Sequence, residues 1–386
     1  MKLKMLGKVK IFLQRLNRFD PVTAISNRLF RGSPLVTAII VGIVNVCGWW
    51  LVGNLTILLY PSGKFTGPTD LSELSWGLFI WGVFVPVVWW YYLSLPKLCK
   101  KMVSSLCNEG VVESNSFEKT ITLKLNSPSS LLSFFIALVI LSIYFSVSMP
   151  AEIAAGRVIF WFMTPWGKVI EALYIGVAIY VSANYVLKTL TLILAMRKYF
   201  YTKGVKTVHV FHADQCGGFE SVGFLATRIA SLAVFAGIWA VGYSMLPFMA
   251  GGRIIFSATA VMQYLFYAIM VSLLLVSLLW PVSRAMKHYK YEMIMKVARK
   301  LQRELNLLVE NEEEQEPLDI AANTFKDQED YQKLYQFYNQ LKSTPEWPIR
   351  ALNLKRFAGF ALIPALVGLV SLASDLFTLV GIIKFK

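Results

Sequence analysis

The chain has 386 residues, of which 56% are hydrophobic and only 16% are charged, with a formal net charge of +15. Ordinary soluble domains carry about 25% charged residues, so the composition excludes a typical soluble protein. The apolar content also excludes a disordered chain, and four cysteines are too few for a disulfide scaffold. The sequence therefore predicts an all-α, polytopic membrane protein.

Seven stretches of the chain are long and apolar enough to cross a bilayer as helices, because a span needs about 20 mostly apolar residues. They are residues 35–59, 71–93, 130–149, 168–190, 225–246, 258–281 and 357–383. We expect residues 35–281 to form a six-helix membrane region with short inner loops at 94–129 and 191–224. Residues 357–386 would supply the seventh span and an outer C-terminus.

The distribution of Lys and Arg predicts the orientation. Of the 38 basic residues, 32 fall in alternate segments, which places those segments on the cytoplasmic side, the N-terminus inside and the C-terminus outside. Anionic lipid headgroups attract basic residues that flank spans, so the positive charge indicates membrane lipids as partners and not nucleic acid. Residues 1–34 form a basic amphipathic segment that we expect on the inner leaflet.

The cytoplasmic segments suggest a small ribbon and a hairpin. Within residues 113–126, apolar and polar residues alternate over 120–125, and the run 205–211 is rich in Val and Thr. These patterns predict two short strands that pair into a cytoplasmic β-ribbon. Two apolar stripes of helical period in 282–356, separated by an acidic run and Pro317, predict a cytoplasmic helical hairpin. Its stripes either pack on each other or form a stalk for oligomerisation or partner binding, so a homo-oligomer remains open.

Small residues mark a packing face on the fifth predicted span, since close helix contact in lipid needs small side chains. They recur at steps of three and four: Ala226, Ala230, Ala233, Gly237, Ala240 and Ser244.

Two carboxylates, Asp375 and Glu171, lie within predicted spans. A charge at such depth costs roughly 2.5–3.5 kcal/mol on insertion scales and usually faces the bundle or a water-filled cavity. Both are expected near the outer side and would line a polar pathway; the alternative is that Glu171 sits at the interface and Asp375 bonds a neighbouring helix. Asn45, Asn184 and Gln263 are further polar groups within predicted spans and are expected to hold helices together.

One loop collects groups that bind metals or protons: His209, His212, Asp214, Cys216 and Glu220. These side chains are all possible ligands of a transition metal or part of a pH sensor, but their spacing matches no known zinc pattern. The alternative is a structural loop in which Gly217 and Gly218 form a tight turn, Asp214 caps the next helix and the histidines bond backbone. No other cofactor is indicated.

This loop, with the pattern HxDxxGGxxxxG from His212 to Gly223, and a PxWP element at Pro345–Pro348 resemble a group of uncharacterised bacterial multi-pass membrane proteins. The resemblance covers about a tenth of the chain. It implies a bacterial inner-membrane setting and no established activity.

The absence of a phosphate-binding loop and of the common hydrolase and metalloprotease motifs makes primary active transport unexpected and gives no catalytic residues. Whether the chain is an enzyme stays open, with a metal-dependent reaction at the His212 loop as the one candidate. The sequence favours a channel, pore or transporter-like protein with a polar pathway near Asp375. The alternative is a membrane-anchored sensor or scaffold that binds a cytoplasmic partner through residues 283–345.

Overall fold

The computed structural model describes residues 20–30, 32–59, 77–125, 130–148, 165–209, 216–249, 258–314, 320–344 and 346–348. All regular secondary structure in these ranges is helical. The first part of the amphipathic segment, the predicted seventh span, His212, Asp214 and Asp375 lie outside the described residues.

Nine α-helices and two π-helical segments are found in the described ranges. They are α1 (Pro21–Phe30), α2 (Pro34–Leu59), a π-helical segment (Leu78–Phe84) that continues into α3 (Val85–Asn108), α4 (Ser114–Leu125), α5 (Ser130–Ile143) with a π-helical end (Tyr144–Ser148), α6 (Pro165–Thr202), α7 (Glu220–Met249), α8 (Ala258–Glu314) and α9 (Ile320–Ser343).

Four helices within the described residues are long and apolar enough to cross a membrane: Pro34–Leu59, Leu78–Asn108, Trp166–Thr202 and Glu220–Gly237. They overlap the first, second, fourth and fifth predicted spans. The third prediction coincides with a shorter apolar helix, Ser130–Ser146, and the sixth with the start of α8. Large apolar side chains on α2 point outward, among them Ile43, Leu51 and Leu58. Such a surface suits lipid, and the chain has the character of a membrane protein.

The predicted strand within 113–126 is wrong, because residues Ser114–Leu125 form helix α4. The alternation covers only six residues, whereas the buried pair Phe117 and Ile121 is spaced by four and defines one helical face. Phe117 packs edge-on against Tyr199 of α6, with ring centroids 4.8 Å apart. Residues 205–209 are irregular, and 210–211 lie outside the described residues.

The predicted inner loops are largely helical. Helix α3 runs to Asn108 and α6 to Thr202, beyond the predicted ends of their spans. Their extensions bury apolar residues such as Leu106 and Met196 in the hydrophobic core, and α4 packs against both helices. This packing explains the continuation, since the helical stripe persists after the uniformly apolar run has ended.

The face of small residues on α7 is partly visible. Ala226, Ala230 and Gly237 are buried and Ala233 is half-buried, where α7 packs against α3 and α8. The side chains of Ala240 and Ser244 lie outside the described set.

Candidate functional site

A charged side chain starts helix α1. Asp20 caps it: its Oδ1 accepts a hydrogen bond from the Val22 backbone N–H at 3.2 Å, and its carbonyl accepts one from Ala24 at 2.9 Å. Pro21 takes the first helical position, where its missing N–H costs nothing. The cap turns the Asp20 carboxylate towards the interior of the bundle.

Inside the bundle this carboxylate meets a lysine and two tyrosines. Lys188 Nζ of α6 lies 3.4 Å from Asp20 Oδ2 and donates to Tyr92 Oη at 2.7 Å. The Tyr92 hydroxyl donates to Asp20, and Tyr180 Oη donates to Asp20 Oδ1 at 3.4 Å. Asn184 Nδ2 donates to Tyr92 Oη at 3.0 Å. These five residues are called the Asp20–Lys188 network below.

The network is charged and almost closed to solvent. The side chains of Lys188 and Asp20 are only 13% and 14% exposed, and Asn184 is fully buried. Burial by itself would raise the pKa of Asp20, but the Lys188 ammonium and the hydroxyls of Thr23 and Tyr92 outweigh burial and lower it. The ion pair thus joins α1 to α3 and α6.

Sequence analysis missed Asp20 and Lys188, although Asn184 bonds between helices as predicted. Two signals were present: an Asp-Pro pair typical of a helix start, and a lysine four residues after Asn184 at the end of an apolar run. Neither signal shows that the two charges meet, because 168 positions of sequence separate them.

A second buried carboxylate belongs to Glu171 of α6. Its Oε1 accepts a hydrogen bond from Tyr144 Oη at 2.9 Å, in the π-helical segment that ends α5. Its Oε2 is buried and has no hydrogen-bond partner among the described residues. Segments of π-helix frequently occur at functional sites.

Glu171 and the Asp20–Lys188 network lie far apart on α6. Seventeen residues separate Glu171 from Lys188, which is roughly 26 Å along the axis at 1.5 Å per residue, and the two side chains point in directions about 100° apart. The structure therefore does not bring them into one cluster.

The predicted metal or pH-sensing loop is seen in part. His209 Nε2 lies 2.7 Å from the Glu109 carbonyl oxygen, Cys216 is buried, and Glu220 begins α7. No group of three or more His, Cys, Asp or Glu side chains suited to a metal occurs in the parts of the chain that the structure describes. The contact of His209 with backbone is the arrangement expected for a structural loop.

The two glycines of this loop form a tight turn, as predicted. Gly217 and Gly218 have φ of 67° and 92°, in the left-handed region. A Cβ on Gly218 would lie 2.8 Å from Glu109 Oε2 and 2.8 Å from Val111 Cγ2. The turn therefore packs against the 109–111 segment, which also accepts a hydrogen bond at Val111 O from Lys206 N at 2.9 Å.

The hairpin is fastened at one end by a set of contacts called the hairpin base: Ser283, Lys287, Lys290, Thr344 and Glu346. Lys290 Nζ donates to the Thr344 carbonyl at 2.8 Å, and Ser283 Oγ donates to the Glu346 carbonyl at 2.8 Å. Lys287 Nζ lies 3.0 Å from Glu346 Oε2, and its hydrogen bond lowers the pKa of Glu346. The following Trp347, part of the PxWP element, packs on the hydrophobic core.

Comparison of the chain with protein-family models, with curated proteins and with solved structures gives no match.

Proposed function

We propose that the protein is a membrane-anchored scaffold or sensor that binds a cytoplasmic protein partner through residues 283–345. The observation that carries the proposal is the hairpin base, which fastens the segment after α9 to residues 283–290 of α8 and so closes a two-helix arm. The proposal takes seven spans, an inside N-terminus and a bacterial inner membrane as its setting, in line with the distribution of basic residues and the resemblance given above.

The geometry of the hairpin supports this role. Helix α8 contains 57 residues without a break, and its part from residue 283 to 314 extends roughly 48 Å at 1.5 Å per residue. Helix α9 returns along it and ends beside residues 283–290. A two-helix arm of this length exceeds what is needed to connect two spans.

The surface of the arm carries aromatic side chains of the kind that protein interfaces favour. Tyr291 is 63% exposed and Tyr335 is 50% exposed. Tyr331 and Tyr335 are stacked, with ring centroids 6.3 Å apart. Tyrosine is enriched at interfaces because it combines a large apolar area with a hydroxyl.

Site-specific photo-crosslinking in cells tests the scaffold. A photoreactive residue at Gln332, on the same helix as Tyr335, is expected to form one discrete protein adduct. The double variant Tyr291→Ser/Tyr335→Ser should reduce the adduct at least about tenfold, since truncation of central aromatic residues typically costs 2 kcal/mol or more of binding energy.

The matched control places the same crosslinker at Leu55, an exposed residue of the membrane helix α2. Adducts that are equally abundant at Leu55, or that persist in the double variant, would contradict the scaffold. An adduct of twice the chain mass identifies the partner as a second copy.

Glu171 favours a second candidate function, a channel, pore or transporter with a polar pathway that includes Glu171 and Asp375. The supporting observation is the buried Oε2 of Glu171, since an intramembrane carboxylate with spare hydrogen-bonding capacity is a typical feature of cation or proton pathways. In this second proposal the Asp20–Lys188 network, at the other end of α6, has a structural role and is not part of the pathway.

Flux measurements in proteoliposomes test this pathway. If it exists, Glu171→Gln should reduce cation or proton flux at least about tenfold, because an isosteric amide removes the charge that attracts the cation. Glu292→Gln, on an exposed part of α8, is the matched control and should leave flux unchanged. Equal flux in both variants and the parent protein would remove Glu171 from any pathway.

A further inference from the structure

A shallow groove on α3 is lined by three lysines, two serines and an asparagine, whose side chains carry donors of hydrogen bonds and positive charge. Its lining residues are Lys97, Lys100, Lys101, Ser104, Ser105 and Asn108, and its volume is about 510 Å³. They recur every three or four positions and so occupy one face of the helix. We refer to this feature as the lysine groove.

The groove offers the right groups for a phosphate anion. Lysine ammonium groups and serine hydroxyls are among its polar groups, and no acidic side chain is among its six lining residues. In the parts of the chain that the structure describes, Lys100 and Lys101 are exposed and form no ion pair. Ser105 donates to Glu109 Oε1 at 3.1 Å, which places this carboxylate at the end of the groove away from Lys97.

The position of the groove matches the height of lipid headgroups. Lys97 Nζ donates to the Gly32 carbonyl at 2.7 Å, and Pro34 begins the first membrane helix two residues later. The first lysine of the groove is therefore level with the end of a span, where phosphate groups of a bilayer lie. The uniformly apolar run of α3 ends at Leu95, just before Pro96, and polar residues then alternate with apolar ones.

Apolar side chains suited to acyl chains lie beside the same point. Leu29 and Leu35, each three residues from Gly32, are 65% and 55% exposed. A molecule with an anionic head in the groove would thus have an apolar surface next to it for a hydrocarbon tail. This combination distinguishes the groove from lysines scattered on a solvated surface.

The geometry points to the lysine groove as a binding site for a phosphate group, carried by an anionic phospholipid or by a soluble phosphate. The site is independent of the proposed roles of the hairpin and of Glu171. Its lysines act by charge and hydrogen bonding, with Lys100 and Lys101 as the two freely available donors and Lys97 held by Gly32.

Binding measurements on the full chain in neutral detergent test the site. Phosphatidylglycerol is titrated and bound lipid is counted by native mass spectrometry, with phosphatidylcholine as the zwitterionic comparison. Lys100→Gln/Lys101→Gln should weaken binding of phosphatidylglycerol about 25-fold, or about fivefold for each lysine near an anionic group. Binding of phosphatidylcholine should not change.

Two further variants keep the test decisive. Lys296→Gln/Lys300→Gln removes the same charge from exposed positions on α8 and should bind as the parent does. Lys100→Arg/Lys101→Arg keeps the charge and should retain binding, which separates loss of the site from loss of folding.

A second titration with inorganic phosphate identifies the source of the anion. Phosphate that competes with the lipid, or that alone raises the melting temperature of the parent but not of the Lys100→Gln/Lys101→Gln protein, supports the site and shows that soluble phosphates reach it. The inference is overturned if Lys100→Gln/Lys101→Gln and Lys296→Gln/Lys300→Gln weaken lipid binding equally, because binding would then depend on net charge alone. It is also overturned if neither variant weakens lipid binding, because binding would then not depend on these lysines.

Discussion

Lys188→Met should lower the free energy of unfolding by about 3–5 kcal/mol, the range measured when one partner of a buried ion pair is removed. The cause lies in what remains: the Asp20 carboxylate, 14% exposed, would keep its burial and lose the ammonium 3.4 Å away. Thermal or denaturant unfolding of the purified chain in detergent micelles measures the effect.

Two further variants separate the effect of the lost charge on stability from other effects of the substitution. Lys198→Met, at an exposed position of the same helix, should change stability by no more than about 0.5 kcal/mol. Asp20→Asn/Lys188→Met should recover much of the loss, since no uncompensated charge is left. A double variant as unstable as Lys188→Met would show that lysine packing, and not the ion pair, stabilises the bundle.

The Asp20–Lys188 ion pair should also make the stability of the protein depend on pH in a defined direction. Because the pKa of Asp20 is lowered on folding from its ordinary value of 3.8, the stabilisation is present above pH 3.8 and is lost as the pH falls through the folded value. The difference in melting temperature between parent and Asp20→Asn should therefore shrink below pH 3.8.

Gly218→Ala should destabilise the protein by about 2–5 kcal/mol, combining about 1–2 kcal/mol for a left-handed Ala with overpacking of about 1–3 kcal/mol. Its Cβ would meet Glu109 Oε2 and Val111 Cγ2, each at 2.8 Å. The φ of 92° adds backbone strain that an L side chain rarely tolerates. Unfolding in detergent micelles again gives the measurement.

Gly204→Ala provides the matched control, because φ is 68° there and no atom lies within 4 Å of the added Cβ. It should cost only the backbone term, about 1–2 kcal/mol. Equal losses at the two positions would mean that the close approach of the turn to residues 109–111 contributes nothing to stability.

How much of the structure can be predicted from the sequence depends on how far apart in the chain the interacting residues lie. Apolar runs and the turn at Gly217 and Gly218 depend on neighbouring residues, so four predicted spans and the tight turn are found. The prediction for α4 is wrong because its six alternating residues carry the pattern of a strand, while the contact of Phe117 with Tyr199 favours the helix. A tertiary contact of this kind overrides local pattern.

The candidate sites were harder to predict because their partners are distant in sequence. Asp20 meets Lys188 across 168 positions, and Tyr144 meets Glu171 across 27. Composition and periodicity hold no information on which spans are neighbours. Asn184 was identified because an isolated amide in an apolar run is visible without knowing its partner.

The unbroken course of α8 makes the arm a lever. Pro281, which removes a backbone donor within the helix, lies where α8 leaves the predicted membrane segment and is followed at once by Ser283 of the hairpin base. If the helix tilts by ~10° at this proline, the tip of an arm of ~48 Å travels ~8 Å. Small rearrangements among the apolar helices would thus become large displacements at the tip of the arm.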